Sequence, residues 1–161
     1  MNKTLLTLVV AALLTLLTSA YYSAPADSRI GYKAPALELG DDHNDLSPLQ
    51  QYHGENILLT FWTSADAQSR LEDRRYDRLS RKSGVHYNHV SVNLDRSASV
   101  FNTVVALDSL DRSTHYTASI DVQENLIRNW RLDEGFHSFL LDGSGKIIAI
   151  DPDEATLRKL E

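Results

Sequence analysis

The side chains that most often carry chemistry are unevenly supplied in this sequence, which has 22 acidic residues and six histidines but no cysteine. That absence excludes a thiol nucleophile, a thiolate zinc site, haem attachment through C-x-x-C-H and any disulfide. The histidines, His43, His53, His86, His89, His115 and His137, form no H-E-x-x-H or comparable pair. His86 and His89 fall three apart in a stretch that reads as a strand, where that spacing puts side chains on opposite faces. All six read as surface or packing residues, with no metal site. Residues 40–45, GDDHND, are rich in carboxylates but lack the D-x-[DN]-x-[DN]-G spacing and distant glutamate of a calcium loop. A solvated hairpin turn is expected there. Residues 143–146, GSGK, carry the glycines and lysine of a phosphate loop, but Ile147 replaces the Ser or Thr and no helix follows. That stretch reads as a turn between strands, and no cofactor is expected.

The elements that would position such groups are legible from periodicity. With 161 residues, 42% hydrophobic and 24% charged, the chain suits one globular domain. Ile57–Trp62, ILLTFW, has Thr60 as its one polar residue, as a central strand covered on both faces requires. Asp66 is placed to cap a charged helix over 67–82, with Leu71, Tyr76 and Leu79 as its inward candidates and Gly84 closing it. Residues 86–94 alternate at Val90, Val92 and Leu94 as the next strand. Residues 97–107 read as a helix capped by Ser97, presenting Val100, Phe101, Val104, Val105 and Leu107. A strand over 115–120 and a helix over 121–130 follow, the latter with Val122, Leu126, Ile127 and Trp130 on one side. Residues 136–142 and 146–150 form a hairpin, and Asp151-Pro152-Asp153 opens a last helix. Upstream, residues 36–39 alternate as a short edge strand, and Ser47-Pro48 reads as an N-cap and first-turn proline. Strands alternating with helices predict an α/β fold, a central mixed sheet flanked by helices.

The N-terminus carries an address. Lys3 precedes an apolar run over 5–17, broken by Thr7 and Thr15 and followed by the small residues Thr18, Ser19 and Ala20. The run is shorter than the ~20 residues of a membrane span. Residues 1–20 therefore read as a secretory signal peptide cleaved after Ala20. A second A-x-A-like site ends at Ala26, and an uncleaved N-terminal anchor is the alternative. Residues 21–30 read as a linker and 31–161 as the domain. The net charge of −6, with no basic stripe, argues against nucleic acid as a partner. After signal cleavage no membrane span remains in the reading.

The stretch LLTFWTSADAQSR resembles the thioredoxin superfamily, in particular exported TlpA-like thiol–disulfide proteins, whose hallmark reads roughly F-W-A-S-W-C-x-x-C-R. Phe61, Trp62, Ser64 and Arg70 match, and the two cysteine positions fall on Asp66 and Ser69. The closing motif of that group, P-T-x-F-L-I-D-x-x-G-K-I, is matched by Phe139, Leu140, Leu141, Asp142, Gly145, Lys146 and Ile147. Its proline falls on Phe136. The resemblance implies a thioredoxin-like fold and export, to a bacterial periplasm or the exterior, in a member lacking both thiols and the cis-proline. Because disulfide exchange needs a thiolate, no catalytic residue is assigned. A hydrolytic trio of Ser69, His137 and Asp66 lacks a G-x-S-x-G elbow, and its serine lies one turn inside a helix. The resemblance instead implies a former active-site groove lined by Trp62, Ala65, Asp66, Gly135, Phe136 and His137, open to an exported protein or peptide. A thiol–disulfide enzyme using partner-supplied thiols is the alternative. A trans bond is expected before Phe136, whose ring either plugs the groove against Trp62 or points outward as an anchor.

Overall fold

The computed structural model describes residues 27–40, 47–82 and 84–160. The expected signal peptide over 1–20, residues 21–26 of the expected linker, and all but the first residue of the expected turn over 40–45 lie outside the described residues. The described elements are α1 (Pro48–Gln51), β1 (Ile57–Trp62), α2 (Ala67–Ser80), β2 (Asn88–Asn93), α3 (Ala98–Asp108) and β3 (His115–Thr117). They continue with α4 (Ile120–Trp130), a 3₁₀ turn (Leu132–Glu134), β4 (Ser138–Leu141), β5 (Ile147–Ile150) and α5 (Glu154–Leu157). The strands form one sheet in the order β3-β2-β1-β4-β5. β1, β2 and β3 run parallel, while β4 and β5 are antiparallel to their neighbours. This is the mixed sheet that the alternation predicted.

The two faces of that sheet are built differently. Ile57, Leu59 and Phe61 alternate to one face and join Val90, Val92, Phe139 and the α4 residues Leu126 and Trp130 in the main apolar core. Leu58 and Trp62 point the other way. Leu58 packs with Tyr76 and Leu79 of α2, and Trp62 with Phe101, Val104 and Val105 of α3. The β4–β5 turn is fixed by Asp142, whose Oδ1 accepts from the Ser144 N–H, the Ser144 hydroxyl and the Lys146 N–H. A carboxylate thus fills the Gly-Ser-Gly loop, which is a turn and no anion cradle. Gly143 is required by close approach, since a Cβ there would meet the Gly54 carbonyl oxygen at 2.5 Å.

Several local expectations are corrected. Residues 36–39 form no strand. Leu37 and Leu39 are buried in the core, but edge pairing occurs earlier, through Gly31 N–H to Ile147 O and Ala34 N–H to Gly145 O. Residues 27–30 are not a free linker: Ser28 is buried and the Asp27 N–H donates to Lys33 O. Ser47 precedes α1 but does not cap it; its hydroxyl donates to Leu37 O at 3.0 Å. The strand over 86–94 begins only at Asn88, so His86 lies outside it. Leu71, expected inward, is 60% exposed, as are Val100 at 45% and Leu107 at 72%. What α2 buries in place of Leu71 is Ser69, Asp73 and Asp77, beside Tyr76 and Leu79.

Candidate functional site

At the C-terminal end of β1 the chain turns through Thr63–Ala65 into α2. The turn is tied to β2 by Asp95, which accepts from the Ser64 N–H at 2.9 Å and from the Ser64 hydroxyl. Asp66 is the N-cap, with extended backbone and a side chain accepting the Ser69 N–H at 2.6 Å. That hydrogen bond and the neighbouring Ser69 hydroxyl hold the Asp66 carboxyl below its ordinary range. Ser69 is buried, and its hydroxyl donates back to Asp66 O at 3.2 Å. Both positions expected at the degenerate site are therefore occupied by side chains committed to closing a helix.

The other expected site residues divide. Gly135 ends the 3₁₀ turn at φ 134°, a conformation that favours glycine. Among the described residues there is no cis peptide bond, so Phe136 follows an ordinary trans bond. Phe136 is half-buried and packs inward, but against the main apolar core on the α4 face rather than onto Trp62, which belongs to the cluster on the other face. Trp62 itself is fully buried on the opposite sheet face, its indole N–H donating to Ser91 Oγ at 2.8 Å and its ring beside Phe101 and His115. It cannot line a groove, because successive strand residues point to opposite faces and Trp62 takes the face under α3. His137 pairs through Nδ1 with Asp151 Oδ2 at 2.7 Å. Asp151 also accepts the Ser138 N–H at 2.8 Å, so the trio of Ser69, His137 and Asp66 is not assembled.

Beneath α2 lies a polar cluster that the sequence reading did not assemble. Sheet register places Thr60 beside Ser91, and Ser91 beside His115, in one row across β1, β2 and β3. Asp73 descends onto this row from α2 and is 1% exposed. Its Oδ1 accepts from Thr60 Oγ1 at 2.6 Å and Ser91 Oγ at 2.7 Å, and its Oδ2 meets His115 Nε2 at 3.0 Å. The other His115 nitrogen, Nδ1, lies 2.7 Å from the Asp111 carbonyl, which only accepts. Nδ1 and Nε2 thus lie against the Asp111 carbonyl and the Asp73 carboxylate on opposite sides of the ring, with the Thr114 hydroxyl 3.1 Å from Nδ1. Burial pushes the His115 pKa down, but the hydrogen bond and charge of Asp73 outweigh it and the net shift is upward. Burial likewise raises Asp73, and its bond to His115 reverses that, so the carboxyl stays low.

His89 completes the cluster. Its Nε2 lies 3.1 Å from Thr60 Oγ1, whose own hydrogen goes to Asp73, so Nε2 is the donor. Nδ1 is buried without a partner, and burial carries the His89 pKa down to about 4. One turn along α2, the buried Asp77 accepts the Asp111 N–H at 3.0 Å and pairs with Arg81. The sequence did hold the signals. Thr60 interrupts an apolar strand, and Ser69, Asp73, Tyr76, Asp77 and Ser80 recur at helical spacing on one face of α2. Among the described residues no group of three or more His, Cys, Asp or Glu residues could hold a metal ion.

The sheet order, the strand–turn–helix at β1–α2 and the β4–β5 hairpin can be set against solved structures. The chain is similar to a thioredoxin-like protein from Parabacteroides distasonis ATCC 8503 at 29% identity and a TM-score of 0.66, over 79% of this chain and 90% of that one. The fold is thioredoxin-like. The thioredoxin domain of a thiol-disulfide oxidoreductase from Bacteroides vulgatus gives a TM-score of 0.67 at 20% identity, covering 81% of this chain and 93% of that one. A thiol:disulfide interchange protein from Bacteroides sp. gives 0.65 at 19%, covering 81% and 86%. No protein-family model and no curated protein matches the chain. Within the thioredoxin-like fold, the β1–α2 junction is where Asp66 and Ser69 sit. Among the described residues no helix is long and apolar enough to cross a membrane.

Proposed function

We propose that this protein is an exported, cysteine-free thioredoxin-fold binding module of the TlpA-like group, with no redox activity of its own. The observation that carries the reading is at the head of α2. The two positions that the resemblance assigns to thiols hold Asp66 and Ser69, and both side chains are spent on the helix cap. Disulfide exchange requires a thiolate that attacks sulfur and a second thiol that resolves the mixed disulfide. Neither a carboxylate nor a hydroxyl performs either step. What the junction retains is an exposed Ala65 beside a fixed anion, with Gly135 and His137 as the further groove positions and Phe136 turned into the core. An exported protein or peptide is the expected ligand.

Two measurements test this. Purified protein mixed with a disulfide-linked peptide and dithiothreitol should give no reduction above a heat-inactivated control; activity that survives repurification overturns the reading. Restoring thiols by Asp66→Cys with Ser69→Cys should give at most weak turnover, because Phe136 still stands where the motif has proline. For the address, N-terminal sequencing of protein from the cell envelope should begin at Tyr21, and intact Met1 in the cytosol would contradict it.

A further inference from the structure

The outward face of α2 is chemically unlike the rest of this acidic chain. Most cations on or just after α2 are neutralised: Arg70 by Asp108 at 2.6 Å, Arg75 by Glu72 at 2.7 Å, Arg81 by Asp77, and Lys82 by Glu154 at 3.6 Å. Arg74 and Arg78 are exposed and make no ion pair or hydrogen bond among the described residues. They are one turn apart, a like-charge spacing that is unfavourable in a helix. Leu71, one turn before Arg74, is 60% exposed. Leu71, Arg74 and Arg78 thus follow the i, i+3, i+7 spacing of a helix-packing seam.

This seam borders a hollow. Ser64, Ala65, Ala67, Arg70, Leu71, Arg74 and Asp108 line a cavity of about 360 Å³ between the head of α2 and the end of α3. Its wall is held in place, because Arg70 grips Asp108 through Nε and Nη2 and Arg81 donates to Ser109 O at 3.0 Å. Leu107, next to Asp108, is 72% exposed. Leu71 is the large aliphatic side chain in the lining of the hollow, and Arg74 lines the same hollow. The combination is a largely apolar hollow beside two arginines without an ion-pair partner, Arg74 acting on Asp108 only through longer-range charge, in a chain of net charge −6.

We propose that the Leu71–Arg74–Arg78 seam, with the hollow at its head, docks an acidic amphipathic helix of a partner protein. The partner's aliphatic side chains fill the space between Leu71 and the Asp108 wall, and its carboxylates meet Arg74 and Arg78. This names a partner class for the binding module proposed above and rests on that reading. It also moves the contact off the Gly135–His137 side and onto α2.

The test is a titration of the purified protein with a synthetic amphipathic helix of Leu and Glu, against the same peptide with Lys for Glu. Backbone amide shifts are followed by NMR. Binding of the Glu peptide alone, with shifts along residues 67–82 and affinity falling as salt rises, is the expected result. Arg74→Glu with Arg78→Glu should weaken it about tenfold, and Leu71→Asp should do so with both arginines intact. These exposed substitutions leave the core untouched, and unchanged melting curves verify that. Equal binding of the Lys peptide, or no binding of either, overturns the inference. Shifts confined to residues 135–137 overturn it while sparing the binding-module reading, which falls instead on the disulfide assay. Sedimentation of the protein alone is the remaining arm. α4 carries exposed Ile120 beside Asp121 and Glu124, so self-association abolished by Arg74→Glu would make a second copy the occupant and refute the partner.

Discussion

The two faces of the central sheet solve the same packing problem with opposite chemistry. Under α4, Phe61, Trp130 and Phe139 meet in tilted and edge-to-face pairs with ring centroids 5.0 to 6.1 Å apart, and no polar side-chain bond is needed. The Trp130 indole N–H is even left without a partner. Under α2, the row Thr60–Ser91–His115 is polar, and Asp73 is inserted to satisfy it. The first face tolerates any set of side chains that fills its volume. The second depends on its members together, because the Thr60 and Ser91 hydroxyls and His115 Nε2 all converge on the one Asp73 carboxylate. An apolar face gives stability with loose specification, whereas a buried polar row fixes how one helix sits on one register of strands.

The largest effect should come from removing the centre of the polar row. Asp73→Ala leaves the Thr60 and Ser91 hydroxyl hydrogens and the buried His115 Nε2 without their acceptor and should cost about 3–5 kcal/mol in chemical denaturation. Made in a Thr60→Val, Ser91→Ala, His115→Leu background, the same change should cost much less, since no orphaned partners remain. Equal costs in both backgrounds would break the contrast between the faces.

Acid should expose the same asymmetry. His89 titrates near 4 when folded and about 6.5 when unfolded, so the unfolded state binds the extra proton first. Stability from this residue is complete above pH 6.5 and drains as pH falls toward 4, by about 3 kcal/mol. Asp73 adds a loss at lower pH, as the solution falls below the ordinary carboxylate range and through its depressed folded pKa. His115, raised in the folded state, acts oppositely, and its stabilisation is lost as pH rises through its folded value. Denaturation midpoints should peak on the neutral side of 6.5, and His89→Leu should flatten the slope between 4 and 6.5. A slope unchanged in that variant would remove His89 from the account.

On the apolar face, Phe136→Ala should cost about 2 kcal/mol, below the 3–5 of a fully buried phenylalanine, because the ring is only half-covered. An unchanged melting curve would mean that the ring does not plug the core. Asp66→Ala should cost about 0.5–2 kcal/mol at pH 7. With its folded pKa lowered, Asp66 contributes only above the ordinary carboxylate range, so mutant and wild type should converge in acid. Trp130→Phe should be the mildest change, under ~1.5 kcal/mol, as no hydrogen bond is lost. A larger cost would reveal a hidden partner for the indole and make the faces more alike.

The sequence by itself determined the five strands of the sheet to within a few residues, though not the absence of one at 36–39 or the end of β3 at Thr117. It also determined their alternation with helices, the β4–β5 hairpin, Asp66 as a cap and the absence of thiol chemistry. These are local facts: a period of 2 or 3.6, a turn residue at a fixed offset, an amino acid that is missing. Tertiary structure decided the inside of α2. Read alone, its arginines and aspartates look like a solvated charged face, and Leu71 looks like core. In the fold Asp73 and Asp77 turn inward, because the register of three strands aligns Thr60, Ser91 and His115 into a row that demands a carboxylate. Leu71 is turned outward by the same rotation of the helix. Those partners lie 13 to 42 residues from Asp73 along the chain, and no local window contains them. The same holds for Trp62 and Phe136: pairing of β1 with β2 and β4 puts their rings against different helices, so the groove could not be drawn from motif order alone.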